Sequence, residues 1–275
     1  MYPINEDTLS FTTTAMPRPD IIEKTYASAS RMLLDIDLKK CTLYINIDNF
    51  PNHECSEKKE EVIKIARKYF GNVIPNMPES PNFANAVKWC FSRIETYYNF
   101  HLEDDWEILT PMKINNFNQF FIPPHVQQVA LRAWKFAGSN FWLSPSFMRG
   151  TFCRTVADKM NNEQNPEIQI RGMKGQFKND AFITFPFDHR AVVLRDLGRN
   201  WMKVQNFNRG DANFTAWQVR EEGKGIQKLA DQNAQIPKYM CPRTLSKHVA
   251  MNNKAMNRAQ AQRQRTIKLR RKGNK

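Results

Sequence analysis

The chain has 275 residues, 41% of them hydrophobic and 12% aromatic, which suffices for a sizeable core in one large domain or one domain with an appendage. No run of about 18 apolar residues occurs and the first ten residues lack a signal-peptide pattern, so we expect no membrane span and no leader. The formal net charge is +14, and eleven of the 41 basic residues lie in residues 241–275, which contain no acidic residue.

The first 105 residues alternate between strand and helix patterns. Their apolar and β-branched runs predict strands at Leu9–Thr14, Thr42–Asp48, Asn72–Ile74 and Asn99–Leu102. Apolar residues at helical spacing predict helices at Pro19–Leu34, at Glu57–Tyr69, and from a cap at Asn82 to Ile94. This order is typical of an α/β domain with a mostly parallel sheet flanked by helices. Ligands bind beyond the carboxyl ends of strands in such sheets, and polar clusters follow each predicted strand here.

The pattern weakens beyond Trp106. The sequence suggests a helix at Val126–Phe136, an irregular aromatic stretch at Phe141–Phe147 and a short strand at Ala191–Leu194. The segment from Leu245 onward is competent to form a helix but too polar to build a core. We therefore expect a globular domain over residues 1–240 and a basic tail, helical or disordered, over residues 241–275.

The cysteines favour a reducing compartment. Five of them are scattered along the chain without a CxxC spacing, and two lie within apolar patterns, where a thiol behaves as a small hydrophobe. We expect free, structural cysteines and a cytoplasmic location.

Three adjacent carboxylates, Glu103, Asp104 and Asp105, follow the fourth predicted strand directly. Carboxylates placed together at the end of a buried strand repel one another unless a cation lies among them. Hard oxygen ligands suit Mg²⁺ or Mn²⁺, which also bind phosphates. This segment therefore favours a metal site, although an acidic turn facing solvent has the same sequence pattern.

The segment PNFANAVKWCFSRIETYYNFHLEDDW resembles the helix, strand and DxD motif of GT-A-fold glycosyltransferases, and TTTAMPRPDIIEKTYAS resembles the opening strand and helix of that fold. The resemblance implies that Asp105 and Glu103 hold a Mn²⁺ or Mg²⁺ ion at the diphosphate of a nucleotide-sugar donor, such as a UDP-sugar, with His189 completing the metal shell. Asp48 would meet the base or ribose. The residues expected to bind the nucleotide sugar are Thr14, Arg18, Asp48, Asn82, Lys88, Asp104 and Arg171.

The segments FWLSPSFMRGTFCR and NPEIQIRG resemble the acceptor half of the same fold. This places the nucleotide-sugar half at about residues 1–110 and the acceptor half at about 111–240. Glu167 then corresponds to a catalytic base with Arg171 as its neighbour, and Asp104 is the second expected catalytic residue. The family's acidic pair reads Pro166-Glu167 here, and a surface helix start explains these two residues equally well. The segment RDLGRNW, with Asp196, Gly198 and Arg199, either lines the site or forms a structural turn.

The basic tail suggests DNA as the acceptor, because clustered cations neutralise phosphates. The expected nucleic-acid-binding residues are Arg263, Arg265, Lys268, Arg270, Arg271 and Lys272. Together with the predicted catalytic domain, they resemble the bacteriophage enzymes that glycosylate 5-hydroxymethylated pyrimidines such as 5-hydroxymethylcytosine, which would act in the cytoplasm of an infected host cell. A transferase acting on a glycan or protein, and a non-catalytic nucleic-acid-binding protein on a degenerate scaffold, remain the alternatives.

Overall fold

The computed structural model of the chain describes residues 2–50, 56–131, 141–173, 181–186, 192–204, 207–208 and 218–219. All of them belong to one compact unit, Met1–Arg220. The strands are β1 (Leu9–Ala15), β2 (Leu33–Leu34), β3 (Thr42–Ile47), β4 (Asn72–Asn76), β5 (Tyr98–His101), β6 (Trp106–Ile108), β7 (Met112–Lys113), β8 (Val126–Leu131), β9 (Ser146–Arg149), β10 (Ala181–Phe185), β11 (Leu194–Asp196), β12 (Phe207–Asn208) and β13 (Gln218–Val219). The helices are α1 (Pro19–Met32), α2 (Ser56–Tyr69), α3 (Phe83–Ser92), α4 (Gly150–Lys159), α5 (Pro166–Gly172) and α6 (Gly198–Val204), with short 3₁₀ helices at Leu38–Lys40 and Ile114–Phe121.

Seven strands form one sheet in the order β10-β8-β9-β5-β1-β3-β4. Every neighbouring pair is parallel except the two pairs that involve β9, which runs antiparallel to both β5 and β8. The pairs β6–β11, β12–β13 and β2–β7 form separate two-stranded sheets. The expected α/β architecture with a mostly parallel sheet is confirmed.

Two apolar cores lie on the two faces of the large sheet. Residues of α1 and α2, such as Ile22 and Val62, pack with Phe11 and Ile45 in the first core. Residues of α3, α4 and α5 form the second core. Strand alternation turns Thr12, Asn46 and His101 away from the first core, so the second face carries buried polar side chains as well as apolar ones.

Local signals in the sequence explain several helix boundaries. Pro19 occupies the first position of α1, where its missing N–H costs nothing. The side chain of Asn82 accepts a hydrogen bond from the N–H of Asn85 at 2.9 Å and so caps α3, as predicted. Asn165 caps α5 in the same way through the N–H of Glu167.

The seven elements predicted before residue 105 are confirmed, with ends that differ by one or two residues. The helix predicted at Val126–Phe136 is wrong over the described part of that range, because Val126–Leu131 is strand β8. Its apolar spacing suits either structure, and pairing with β9 and β10 makes it a strand. In the described part of the strand predicted at Ala191–Leu194, only Leu194 lies in a strand, at the start of β11. The aromatic stretch overlaps the start of strand β9, and α4 was not predicted.

None of the helices within the described ranges has the length and apolar character needed to cross a bilayer.

Replacing Gly150 with Ala tests the tight junction between β9 and α4. A Cβ at this position would clash with the carbonyl oxygen of Thr96, a backbone atom that cannot turn aside. We expect Gly150→Ala to lower the free energy of unfolding by about 1–3 kcal/mol in urea titrations, as overpacking does. Gly172→Ala is the matched control, because a Cβ there would meet no atom within 4 Å; equal losses in both variants would contradict the argument.

Candidate functional site

The acidic segment lies at the carboxyl edge of the sheet, where β1 and β5 end side by side. Beyond β5 the backbone continues along β1, since the N–H of Leu102 donates to Thr12 O at 2.9 Å and that of Asp104 to Thr14 O at 3.3 Å. Thr25 of α1 donates its hydroxyl to Asp104 O at 2.7 Å. These bonds hold the carboxylates next to the turn that joins β1 to α1.

Arg18, from that turn, forms a buried bidentate ion pair with Asp104. Its Nη2 lies 2.5 Å from Asp104 Oδ1 and its Nε lies 3.0 Å from Asp104 Oδ2. The side chains are only 2% and 5% exposed. Asp104 Oδ2 also accepts the N–H of Met16 at 3.0 Å. Both carboxylate oxygens of Asp104 therefore accept hydrogen bonds from protein groups. Such a residue acts by positioning its neighbours.

The buried pair changes the titration of both partners. Burial alone would lower the pKa of Arg18, but the charges of Asp104 and Asp105 raise it overall, so the guanidinium stays charged. Burial raises the pKa of the Asp104 carboxyl, Asp105 adds to this rise, and Arg18 opposes it. The Arg18 guanidinium thus supplies part of the positive charge that was predicted to lie among the three carboxylates.

Asp105 and Glu103 point to different partners. Asp105 Oδ2 lies 3.1 Å from Arg18 Nη2, and the Asp105 side chain is 18% exposed. Glu103 Oε2 accepts a hydrogen bond from Trp106 Nε1 at 2.7 Å. Among the described residues, no group of three His, Cys, Asp or Glu side chains is arranged to hold a metal ion. Mg²⁺ and Mn²⁺ sites at phosphates need only one or two carboxylates, and the partly exposed Asp105 and Glu103 fit that requirement. His189 lies outside the described residues.

A late segment of the chain covers the acidic one. Strand β11 pairs with β6, and the N–H of Leu197 donates to Asp105 O at 2.8 Å. Gly198 packs so closely against Asp105 that a Cβ there would clash with the carboxylate. The ring of Trp201 in α6 lies 5.3 Å from the Arg18 guanidinium carbon and stacks on Phe50.

Gly198 was predicted to line the site or form a turn as part of the segment RDLGRNW; Trp201 ends that segment but, like Phe50, was not predicted as a site residue. No local pattern marks these two aromatic residues, because their role depends on contacts between distant parts of the chain.

The predicted nucleotide-sugar residues do not all meet at one point. Thr14, Arg18 and Asp104 lie together at the ends of β1 and β5. Asp48 follows β3, where it accepts a hydrogen bond from Asn46 Nδ2 at 2.8 Å, and burial raises its pKa to about 6. Lys88 of α3 instead donates to Met160 O at 2.9 Å.

Glu167 and Arg171 form a second cluster at the start of β9. Glu167 Oε1 accepts the N–H of Leu143 at 2.8 Å, and Glu167 Oε2 lies 3.2 Å from Arg171 Nη2. The guanidinium carbon of Arg171 lies 4.4 Å from the ring centre of Trp142. Since β9 is antiparallel to β5, its start lies at the same edge of the sheet as the acidic segment.

The predicted nucleic-acid-binding residues, Arg263, Arg265, Lys268, Arg270, Arg271 and Lys272, lie outside the described residues.

No family model matches the sequence, and no curated protein sequence matches it significantly. Solved structures do resemble the fold. A mannosyltransferase from Pyrobaculum calidifontis, solved in complex with GDP-Man and Mn²⁺, aligns with a TM-score of 0.50 and 10% identity over 68% of this chain and 57% of its own. This chain therefore spans little more than half the length of that enzyme. The likeness shows a GT-A-like α/β fold.

Two other structures align less well. The S. aureus protein TarS (residues 1–349) gives a TM-score of 0.40 with 12% identity, over 64% of this chain and 57% of its own. A CMP:2-keto-3-deoxy-manno-octonic acid synthetase in complex with CTP gives 0.45 with 12% identity, over 72% of this chain and 96% of its own. Similarities this low carry no argument about function.

Removing the charge of Arg18 tests the buried ion pair. We expect Arg18→Met to destabilise the protein by about 3–5 kcal/mol at pH 7.5, because it leaves the charge of Asp104 buried without its cation. Without Arg18 the pKa of folded Asp104 rises further, so protonation removes the penalty and the loss should be smaller at pH 5. Urea unfolding at both pH values measures this. Lys68→Met breaks an exposed pair with Glu23 and should cost less than about 1 kcal/mol at either pH.

Asp48 provides a second test of pH dependence. Its raised pKa means that the folded state favours the protonated carboxyl. The stabilisation that the protonated carboxyl provides is present below about pH 4 and is lost as the pH rises through about 6. We expect Asp48→Asn to raise the free energy of unfolding by up to about 2 kcal/mol at pH 7.5. The gain should fall to roughly a third of this value at pH 4.5 and vanish at about pH 3, where the carboxyl is protonated in both the folded and the unfolded state. A variant that is less stable than the native chain at pH 7.5 would show that the ionised carboxylate stabilises the fold.

Proposed function

We propose that the chain is a metal-dependent glycosyltransferase that moves a sugar from a nucleotide-sugar donor to a hydroxyl acceptor. One observation carries the proposal: three consecutive acidic residues lie at the carboxyl edge of a GT-A-like sheet, fixed there by the Arg18–Asp104 pair. In open α/β sheets this edge is where ligands bind. The mannosyltransferase with this fold was solved with GDP-Man and Mn²⁺, which supports a nucleotide-sugar donor and a divalent ion.

Asp105 and Glu103 would hold Mn²⁺ or Mg²⁺. An ion held there would supply the positive charge that neutralises the diphosphate leaving group. Arg18 and Asp104 act at this site by positioning, because their buried pair fixes the backbone that carries Asp105. Thr14 and Asp48 lie at the ends of β1 and β3, where the nucleoside of a UDP-sugar or a related donor would lie.

Glu167 is the proposed base that accepts the proton of the acceptor hydroxyl. Its two hydrogen bonds, from Leu143 and Arg171, occupy part of the four acceptor positions of a carboxylate and hold it at a fixed angle. A fixed carboxylate within reach of the acceptor is the requirement for general base catalysis. Arg171 contacts both Glu167 and the ring of Trp142 and so fixes their relative positions.

The acceptor proposed from the sequence is DNA that carries 5-hydroxymethylated pyrimidines. The support is the basic segment 241–275, whose charge would bind the phosphate backbone in a salt-dependent manner. A glycan or a protein is the alternative acceptor.

The test is a donor and acceptor screen with purified protein. The reactions contain Mn²⁺ or Mg²⁺, a panel of UDP-, GDP-, CMP- and dTDP-sugars, and duplex DNA with or without 5-hydroxymethylcytosine or 5-hydroxymethyluracil. Mass spectrometry of the digested nucleosides detects a transferred hexose or pentose. Transfer to hydroxymethylated DNA alone would support the whole proposal, whereas hydrolysis of a nucleotide sugar without DNA modification would support the transferase and rule out this acceptor. If no donor is consumed with any metal, the proposed reaction is wrong.

Two substitutions separate donor binding from proton transfer once a donor is known. Asp105→Asn should abolish metal-dependent donor binding, measured by calorimetry. Glu167→Gln should leave donor binding intact and lower kcat by about 10²–10⁴-fold. Glu163→Gln, at an exposed residue between α4 and α5, is the matched control and should change neither. A fully active Glu167→Gln variant would remove Glu167 from the reaction.

A further inference from the structure

A polar groove of about 340 Å³ runs between α3 and the edge strand β4. It exists because α3 packs on β1 and β3 and leaves the same face of β4 uncovered. Ile74, on that face of β4, is 37% exposed. The groove is separate from the acidic segment, which lies at the ends of β1 and β5.

The floor of the groove is a fixed chain of amides. Asn76 Nδ2 donates to Asn46 Oδ1 at 2.6 Å, and Asn46 Nδ2 donates to Asp48 Oδ1 at 2.8 Å. Asn46 is 1% exposed, so it lies beneath the surface and orients Asn76 above it. The hydrogen bond to Asn46 uses one N–H of the Asn76 side chain, which makes no further hydrogen bond within the described residues. Its second N–H and its carbonyl oxygen therefore offer a donor and an acceptor side by side.

The walls add neutral polar groups and one aromatic ring. They contain Ser80, Asn82 and Asn85 near the start of α3, and Trp89 and Ser92 near its end. Asn85 and Ser92 are exposed, while Trp89 is half-buried with the guanidinium carbon of Arg93 5.8 Å from its ring centre. The side chain of Asn82 is already hydrogen-bonded, since its oxygen caps α3 and its Nδ2 donates to Asn162 O. The groove therefore combines adaptable amides and hydroxyls with a rigid ring.

The charges around the groove do not suit an ionic ligand. Lys88 is the one cationic side chain among the lining residues, and its ammonium donates to Met160 O. No carboxylate is among the lining residues, and the nearby Asp48 accepts a hydrogen bond from Asn46. Among the lining residues a phosphate would find the single cation of Lys88 and a metal ion no acidic ligand, whereas neutral hydroxyls can both donate to and accept from the amides.

We propose that this groove binds the neutral sugar units of an oligosaccharide. Hydroxyl groups along the chain of sugars would bond to Asn76 and Asn85, while an apolar ring face of a sugar packs against Trp89. A nucleobase is a less suitable ligand, because the polar groups are spread along the length of an open groove and do not face one ring edge. The groove contacts Asp48, where the proposed donor's nucleoside would lie, through Asn46, but the acidic segment does not line it and sugar binding there needs no donor, so it is tested without the transfer reaction.

Saturation-transfer NMR and calorimetry on the full chain test it, without metal or nucleotide sugar. The probes are maltohexaose, cellohexaose, mannohexaose and chitohexaose, with uridine and guanosine as competing ligands. We expect at least one hexasaccharide to bind at millimolar concentration. Asn85→Ala should weaken this binding by about tenfold, the effect of losing one or two hydrogen bonds. Asn85→Arg should abolish it by filling the groove.

Asn115→Arg is the matched control, because it makes the same change at an exposed asparagine of a 3₁₀ helix outside the groove. It should leave binding unchanged, and thermal unfolding of all variants should match that of the native chain. Three results would each overturn the proposal: no hexasaccharide binds, binding survives Asn85→Arg, or only the nucleosides bind and Asn85→Arg removes them. Because these assays contain no donor, their outcome is independent of the donor screen.

Discussion

The fold of the candidate site depends on one interaction, the buried ion pair between Arg18 and Asp104. It joins the turn after β1 to the segment after β5, two strands that are neighbours in the sheet but far apart in the sequence. Burying either charge alone would be costly, and the bidentate geometry offsets that cost for both. Asp105, Met16 and the start of α1 take their positions from this pair. The pair thus acts on the site through the residues it holds.

The sequence allowed most of the first half of the fold to be predicted. The strands and helices before residue 105 have strong periodic patterns, and Asn82 is a clear signal for the start of α3. Strand β8 could not be predicted, because its apolar spacing suits a helix and only its pairing with β9 and β10 decides the outcome. Strand β9 illustrates the same limit, since it reverses direction between two parallel strands.

The candidate site was predictable in location but not in detail. The acidic run Glu103–Asp105 and the polar residues after β1 and β3 mark the carboxyl edge, because parallel strands all end there. The sequence does not show that Arg18 pairs with Asp104, nor that Glu103 turns to Trp106 Nε1. The sequence also does not show that Trp201 lies beside Arg18, nor that Asn46, Asn76 and Asn85, from three separate elements, meet at the groove. These contacts depend on the packing of the whole domain.

The covering of Asp105 by Leu197 and Gly198 has a consequence for how the protein is made. On the ribosome, the strands and helices up to residue 105 emerge first, and they contain nearly all of the contacts that hold the acidic loop. Strand β11 and helix α6 leave the exit tunnel only after a long further stretch of chain. Until Leu197, Gly198 and Trp201 have emerged, the nascent chain lacks the segment that covers Asp105, so the site is completed only after this later part of the chain has been made.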